Sequence, residues 1–345
     1  MEASSHGCRH QRLAILGCDM FAIPAPTGGA VSIPENADVD RRYFTGFDSA
    51  AKEYLAAEGY VVVRKLIDPA LCAEVRAAFV LEVKSYKGFL YRQVTARAER
   101  NRFNTLGHVM NPLLNVQDLD PERFPRLRQQ SLKVFTAPAV TGALREQFGE
   151  DPKLVQTMYF EGNCATWAHQ DTYYLDSEHV GSMVAAWFAL EDIHPGAGRF
   201  FVYPRSHLID VRKNGGDFDV AFHHERYKAL ILEIIKRRGL TLRAPALEAG
   251  DVLFWSAKTV HGSLGTLQTN RTRQSLTAHY IPKSHRFLSL QSRLKSLRLH
   301  EHNGIQVHCP KSQALLRNRM TLLVESYLPG PFYFAKRLAV KAATR

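Results

Sequence analysis

Leu154-Val155-Gln156-Thr157-Met158-Tyr159-Phe160, His169-Gln170-Asp171 and Val184-Ala185-Ala186-Trp187-Phe188-Ala189-Leu190 decide the fold between them. Two short runs rich in β-branched and aromatic residues flank a motif of metal-binding side chains, with turn residues between. Downstream, Arg199-Phe200-Phe201-Val202-Tyr203 reads as another strand, and Glu248-Ala249-Gly250-Asp251 turns into Val252-Leu253-Phe254-Trp255. In the last core strand, Arg273 to Tyr280, Arg273, Ser275, Thr277 and His279 alternate with Gln274, Leu276, Ala278 and Tyr280, giving one polar and one largely apolar face. Many short strands broken by turns predict a mainly β sandwich or jelly roll.

The motif has a chemical use. In extended backbone His169 and Asp171 project to the same side while Gln170 points away. With His261, six residues after Trp255, they offer two imidazoles and a carboxylate, enough to fill one face of an octahedral Fe(II) and leave the others open. The tripeptide alone is weak: with 15 His and 33 acidic residues in the chain, about one H-x-D/E is expected by chance. A second, His223-x-Glu225, opens the amphipathic run 221–238 and is read as a solvated helix start. Arg273 on the polar face of its strand needs an anionic partner, and guanidinium grips a carboxylate through two parallel hydrogen bonds, as the distal carboxylate of 2-oxoglutarate would require. Arg271 shares its parity but lies nearer the Gln268-Thr269-Asn270 turn, which favours Arg273.

Gln156 to Phe160, His169-Gln170-Asp171-Thr172-Tyr173-Tyr174-Leu175, Ala186 to Asp192, Pro204-Arg205-Ser206-His207, Gly250-Asp251 and His261-Gly262-Ser263 together resemble the phytanoyl-CoA dioxygenase family of Fe(II)/2-oxoglutarate oxygenases, over roughly residues 48 to 285. The resemblance implies a double-stranded β-helix (cupin-like jelly roll) core. It implies iron held by His169, Asp171 and His261, and 2-oxoglutarate held by Arg273 with help from Ser263 and Gln156. Dioxygen is then the oxidant, succinate and CO2 the co-products, and ascorbate a supporting reductant. Because Asp171 is present, hydroxylation is the default; desaturation or epoxidation on the same iron is the alternative. Arg205 stands where such loops usually have Gly.

The rest of the chain is read around that core. Residues 1–43 are expected to be poorly ordered, and 44–345 to form one oxygenase domain: a core at about 150–285, a helical insertion at about 208–247 and a basic helical extension at 286–345. Asp48-Ser49 caps a helix ending at Gly59, Tyr60-Val61-Val62-Val63 is a strand, and Asp68-Pro69 opens another helix. The insertion is expected to act as a lid that sets substrate choice. The net charge of +12 favours an anionic environment or substrate; the substrate expected is a small molecule or lipid-like metabolite. No zinc-finger, helix-turn-helix or RNP-like motif accompanies the charge, which makes nucleic acid an unlikely partner. The basic tail from Lys336, with Phe332-Tyr333-Phe334 ahead of it, suits peripheral membrane contact, although a solvated helix is the blander reading. Five widely spaced cysteines without C-x-x-C pairs and no long apolar run point to a cytoplasmic enzyme. A catalytically silent β-helix protein that binds through its basic surface is the alternative of a different class.

Overall fold

Asp48 accepts the Ala51 N–H at 2.9 Å and so starts the helix Ser49–Glu58, which Gly59 ends in left-handed backbone at φ 82°. The strand Tyr60–Val63 follows, then Asp68 accepts from Ala70 and Pro69 takes the first position of the helix Pro69–Ala78. All three elements lie where the cap residues predict. The computed structural model describes residues 14–15, 18–34, 42–163, 165–220, 222–290 and 293–343.

The strand Tyr60–Val63 is one edge of a large mixed sheet, mostly antiparallel. Across it run Val252–Ser256, Val184–Ala189, Ser275–Pro282, Pro152–Phe160, Ile305–His308 and Leu299–His302, with Leu113–Leu114 also on Pro152–Phe160. Among the described strands of this sheet only the pairing of Ile305–His308 with Pro152–Phe160 is parallel. Gly250 is required in the turn before Val252: its φ is 93°, and a Cβ would meet the Ile67 carbonyl oxygen at 2.3 Å. Opposite the sheet lie Phe200–Val202 paired with His261–Ser263, and Leu175–Ser177 paired with Phe287–Ser289. This is the mainly β, cupin-like jelly roll with flanking helices.

Alternation along the strands divides two environments. Val61, Val63, Leu154, Phe188, Phe254, Leu276, Ala278 and Tyr280 pack on the helices, including Leu55, Val75, Phe79, Phe135 and Leu144, in the principal core. Their neighbours Met158, Trp187, Trp255, Thr277 and His279 face a cavity on the other side. Burying the apolar face stabilises the sheet by roughly 25 cal/mol per Å² and thereby fixes which residues point into the cavity.

Two flanking segments differ from the sequence reading. The described part of residues 1–43 includes a β-hairpin, Cys18–Pro24 with Ala30–Pro34 across a turn at Gly28 and Gly29. Its Ile23 and Ile33 are buried against the helical insertion's core, so the short alternation Phe21, Ile23, Val31, Ile33 was a strand signal; the remainder of 1–43, apart from Ala14–Ile15 and Arg42–Tyr43, lies outside the described residues. The basic extension begins with strands, including the hairpin Leu299–His302 and Ile305–His308 around Asn303-Gly304, both with positive φ, before its helices Leu316–Tyr327 and Pro329–Ala343. The insertion does carry a helix, His224–Arg238. It contributes no residue to the cavity wall among those described; its apolar face packs in a second core with Tyr173, Phe201 and Tyr203, and it meets the wall from behind, through His224 against the rings of Trp167 and Tyr174.

Candidate metal and co-substrate site

His169 and His261 are joined backbone to backbone, each N–H donating to the other's carbonyl at 3.0 Å. His169 sits in this isolated bridge, and Asp171 already begins a short 3-10 turn, Asp171–Tyr173. The motif is therefore not part of a continuous strand as predicted, but Gln170 keeps extended backbone at φ −104°, ψ 139°, enough to bring residues 169 and 171 to one side. The residue after His261 must be small, since a Cβ on Gly262 would lie 2.5 Å from the Thr166 carbonyl oxygen and 2.7 Å from the Phe201 ring.

Both imidazoles are oriented by the same device. His169 Nδ1 lies 2.9 Å from the Trp167 carbonyl oxygen and His261 Nδ1 2.9 Å from that of Thr259. A carbonyl only accepts, so Nδ1 donates in both rings and each Nε2 presents its lone pair. Those atoms lie 3.6 and 3.5 Å from Asp171 Oδ1, and the three donors all fall within 4.8 Å of one another. Donors about 2.1 Å from a shared divalent ion stand at most about 4.2 Å apart, so both histidine–aspartate pairs fit one ion. His169, Asp171 and His261 form an iron-binding triad. Among the described residues no other group of His, Cys, Asp and Glu meets this geometry; Glu225, on the helix His224–Arg238, pairs with Lys228 at 3.0 Å in the solvent.

The other carboxylate oxygen, Oδ2, accepts the Trp255 indole N–H at 2.9 Å, and His279 Nε2 stands 3.6 Å from it. Trp255 and His279 flank Ala185 across three strands of the sheet, and its small side chain leaves room for the carboxylate between them. Burial opposes ionisation of Asp171, but His261, His169 and His279 outweigh it and hold its carboxyl well below the usual range. Burial pulls His261 down to about 4. Carboxylate ionised and imidazole neutral are the metal-binding forms.

The same cavity, of about 360 Å³, reaches the three residues assigned to the co-substrate. Arg273 is buried, its backbone N–H donating to the Glu161 carbonyl at 2.8 Å and its guanidinium 5.3 Å from the Phe160 ring centre and 5.9 Å from that of Trp187. Arg271 is exposed, bonded to Gln268, and is not part of the wall. Gln156 faces the cavity opposite His279 in the adjoining strand. Ser263 lines it too, but its hydroxyl donates to Asn163 Oδ1 at 2.9 Å and accepts the Thr166 N–H at 2.7 Å. Its proton is thus committed to holding the loop that precedes His169. Arg205, exposed at φ 65° in a surface turn, is not in the wall; the turn's conformation suits glycine.

Sequence reasoning missed four supports: Trp255, His279, Asn163 and Tyr227. The Tyr227 hydroxyl, on the insertion helix, accepts the Gln170 N–H at 2.9 Å and reaches its carbonyl at 3.4 Å, clamping the residue between two ligands. Only the apolar period of that helix was visible in advance; which loop it would meet was not.

A cupin-like barrel with two histidines, one aspartate and a buried arginine around one cavity defines an iron- and 2-oxoglutarate-dependent oxygenase. The chain belongs to the phytanoyl-CoA dioxygenase (PhyH) family, whose model matches residues 55–275. No curated protein sequence matches it. Among solved structures it is similar to the non-heme α-ketoglutarate-dependent carbocyclase SnoK from nogalamycin biosynthesis, at 19% identity and TM-score 0.54 over 70% of this chain and 87% of that one. The α-ketoglutarate-dependent epimerase SnoN from the same biosynthesis gives 17% and 0.51 over 75% and 97%. EctD from S. alaskensis, with bound Fe, gives 14% and 0.50 over 84% and 92%. At these identities the likeness is one of fold.

Proposed function

We propose that the protein is an Fe(II)/2-oxoglutarate-dependent dioxygenase that hydroxylates a small, largely apolar or lipid-like metabolite. The observation that carries this is the placement of the iron triad and Arg273 around one cavity. Bound iron supplies the activation of dioxygen, coupled to conversion of 2-oxoglutarate to succinate and CO2. The chain's residues do the rest. Asp171, oriented by Trp255, and the two carbonyl-anchored histidines would hold the ion, and three protein ligands would leave it room for co-substrate and dioxygen. Arg273 would anchor the far carboxylate of 2-oxoglutarate, with Gln156 beside it; Ser263 contributes by fixing Asn163 and Thr166.

Leu114, Met158, Phe160, Leu175 and Phe287 make much of the remaining wall, while Gln93 and Ser289 add polar points. This lining suits an apolar body with a few polar groups. The SnoN structure holds Fe3+, α-ketoglutarate and a nogalamycin compound, which supports a small organic substrate here. A ligand carboxylate at Asp171 supports oxygen transfer in place of halide transfer.

The test is a screen of fractionated metabolites for succinate release with Fe(II), ascorbate and 18O-labelled dioxygen. Substrate-dependent succinate together with a product carrying one labelled oxygen in a new hydroxyl group is expected; the label in an epoxide would assign epoxidation instead. A product without that oxygen, either two hydrogens lighter or an isomer, would replace hydroxylation with desaturation, ring closure or epimerisation.

A further inference from the structure

The helix Leu316–Tyr327 is turned inside out. Leu316, Met320, Leu323, Val324 and Tyr327 recur at i, i+4, i+7, i+8 and i+11, one stripe about 100° wide, and all are exposed, Leu316 at 67% and Tyr327 at 66%. The opposite face is buried and carries a carboxylate: Glu325, 4% exposed, accepts from Tyr91 Oη at 3.1 Å, from the Ala98 N–H at 3.1 Å and from Tyr333 Oη at 2.6 Å. Its polar anchor points inward and its apolar stripe outward, the reverse of a helix that folds to cover a core. In the next helix Phe334 and Leu338, one turn apart, are also exposed.

Charge says what covers this face. Residues 311–345 carry seven Lys and Arg against the single acid Glu325, which is buried. Arg317, Lys336 and Arg337 are exposed on the same two helices. A second copy of the face would set cations against cations, whereas an anionic bilayer surface satisfies stripe and charge together. Among the described residues no helix is long and apolar enough to cross a membrane, so the helix would lie in the interface plane. We propose that the two C-terminal helices are a docking surface for anionic lipid membranes. Through Glu325 the docked helix holds the hairpin Leu90–Glu99, whose Gln93 and Ala96 line the cavity; contact with the bilayer is thus mechanically continuous with the substrate wall.

The full chain is cosedimented with phosphatidylcholine vesicles, with and without phosphatidylglycerol, at low and high salt. Binding to the phosphatidylglycerol vesicles, at least about tenfold tighter than to neutral ones and weakened by salt, is expected. A triple variant Leu316→Gln, Met320→Gln, Leu323→Gln should lose at least about tenfold in binding, since each buried methylene contributes about 0.8 kcal/mol; these side chains are exposed, so Fe(II) binding should be unchanged. Arg317→Glu with Lys336→Glu should abolish the preference for anionic lipid. Wild-type protein that ignores anionic vesicles, or a triple variant that binds as well, overturns the proposal. A wild-type dimer made monomeric by the triple variant assigns the face to a second copy and overturns it equally. Iron and 2-oxoglutarate binding, measured without vesicles, keeps this outcome separate from the fate of the oxygenase reading.

Discussion

The Trp255 indole N–H donates to Asp171 Oδ2 at 2.9 Å, so the oxygen that faces the histidines, Oδ1, is selected by a residue 84 positions away on the opposite sheet. The carboxylate is thereby aimed before any ion arrives. Removing only the donor should expose this. Trp255→Phe keeps an aromatic ring in place and is expected to weaken Fe(II) binding about 10- to 100-fold, measured by competition with a chromogenic chelator. Unchanged affinity would mean that Asp171 needs no such support.

The insertion helix makes a second prediction. Tyr227→Phe leaves the ring packed on that of Tyr173 but strands the buried Gln170 N–H, a cost of about 1–3 kcal/mol. Thermal stability and iron affinity should fall together. Deleting residues 208–247 should cost iron binding outright, because Ile231, Ile234 and Ile235 leave a core that includes Ala168 and Tyr173. A deletion that retained iron and changed only substrate range would make the segment a lid and not a support of the site.

Arg273 and Arg271 are separated by burial, and substitution should follow it. Arg273→Ala is expected to raise the 2-oxoglutarate Kd by at least about 30-fold, the loss of a bidentate charged contact of about 2 kcal/mol. Arg271→Ala should leave it within about twofold, because exposed substitutions away from a site are usually near neutral. Anaerobic equilibrium titration reads both.

Asp118 predicts a pH dependence away from the site. Burial raises its carboxyl to about 7 although the Lys311 N–H donates to it at 3.0 Å. A folded-state value above the unfolded one gives stability that is full below pH 3.8 and is lost as pH rises through about 7. At pH 8 the cost is on the order of 4 kcal/mol at 1.36 kcal/mol per pKa unit. Asp118→Asn should therefore raise Tm at pH 8 and do little at pH 4; an equal effect at both would remove ionisation as the cause.

How much of this was written in the sequence depends on the range of the interaction. His169, Asp171 and His261 are few, chemically distinctive residues set between β-prone runs, and the strands 152–160, 184–189, 200–202, 252–256 and 275–282 fall close to the predicted runs because period-two alternation is local. The helix caps at Asp48, Gly59 and Asp68 are local as well. Trp255 and His279 were not legible as supports of Asp171, since their meeting depends on both pairing with Ala185 across the sheet, a register that no linear pattern states. Tyr227 and Asn163 act by tertiary contact with loops, and Ser263's hydroxyl turned out to be engaged by one of them. The hairpins at 18–34 and 299–308 were missed for a different reason: the alternation of Phe21, Ile23, Val31 and Ile33 is set among Gly and Pro, and Leu299–His302 is polar and largely exposed, so neither carries a strong apolar period.

The central claim is that iron and 2-oxoglutarate meet in this one cavity. Its most direct test is an anaerobic titration of Fe(II)-loaded protein with 2-oxoglutarate, followed by the visible metal-to-ligand charge-transfer band of the chelate. The account predicts a saturable band at one iron per chain, lost in His261→Ala and shifted to higher 2-oxoglutarate concentration in Arg273→Ala. A wild-type protein that binds Fe(II) without developing the band, or a His261→Ala variant that keeps it, would contradict the account.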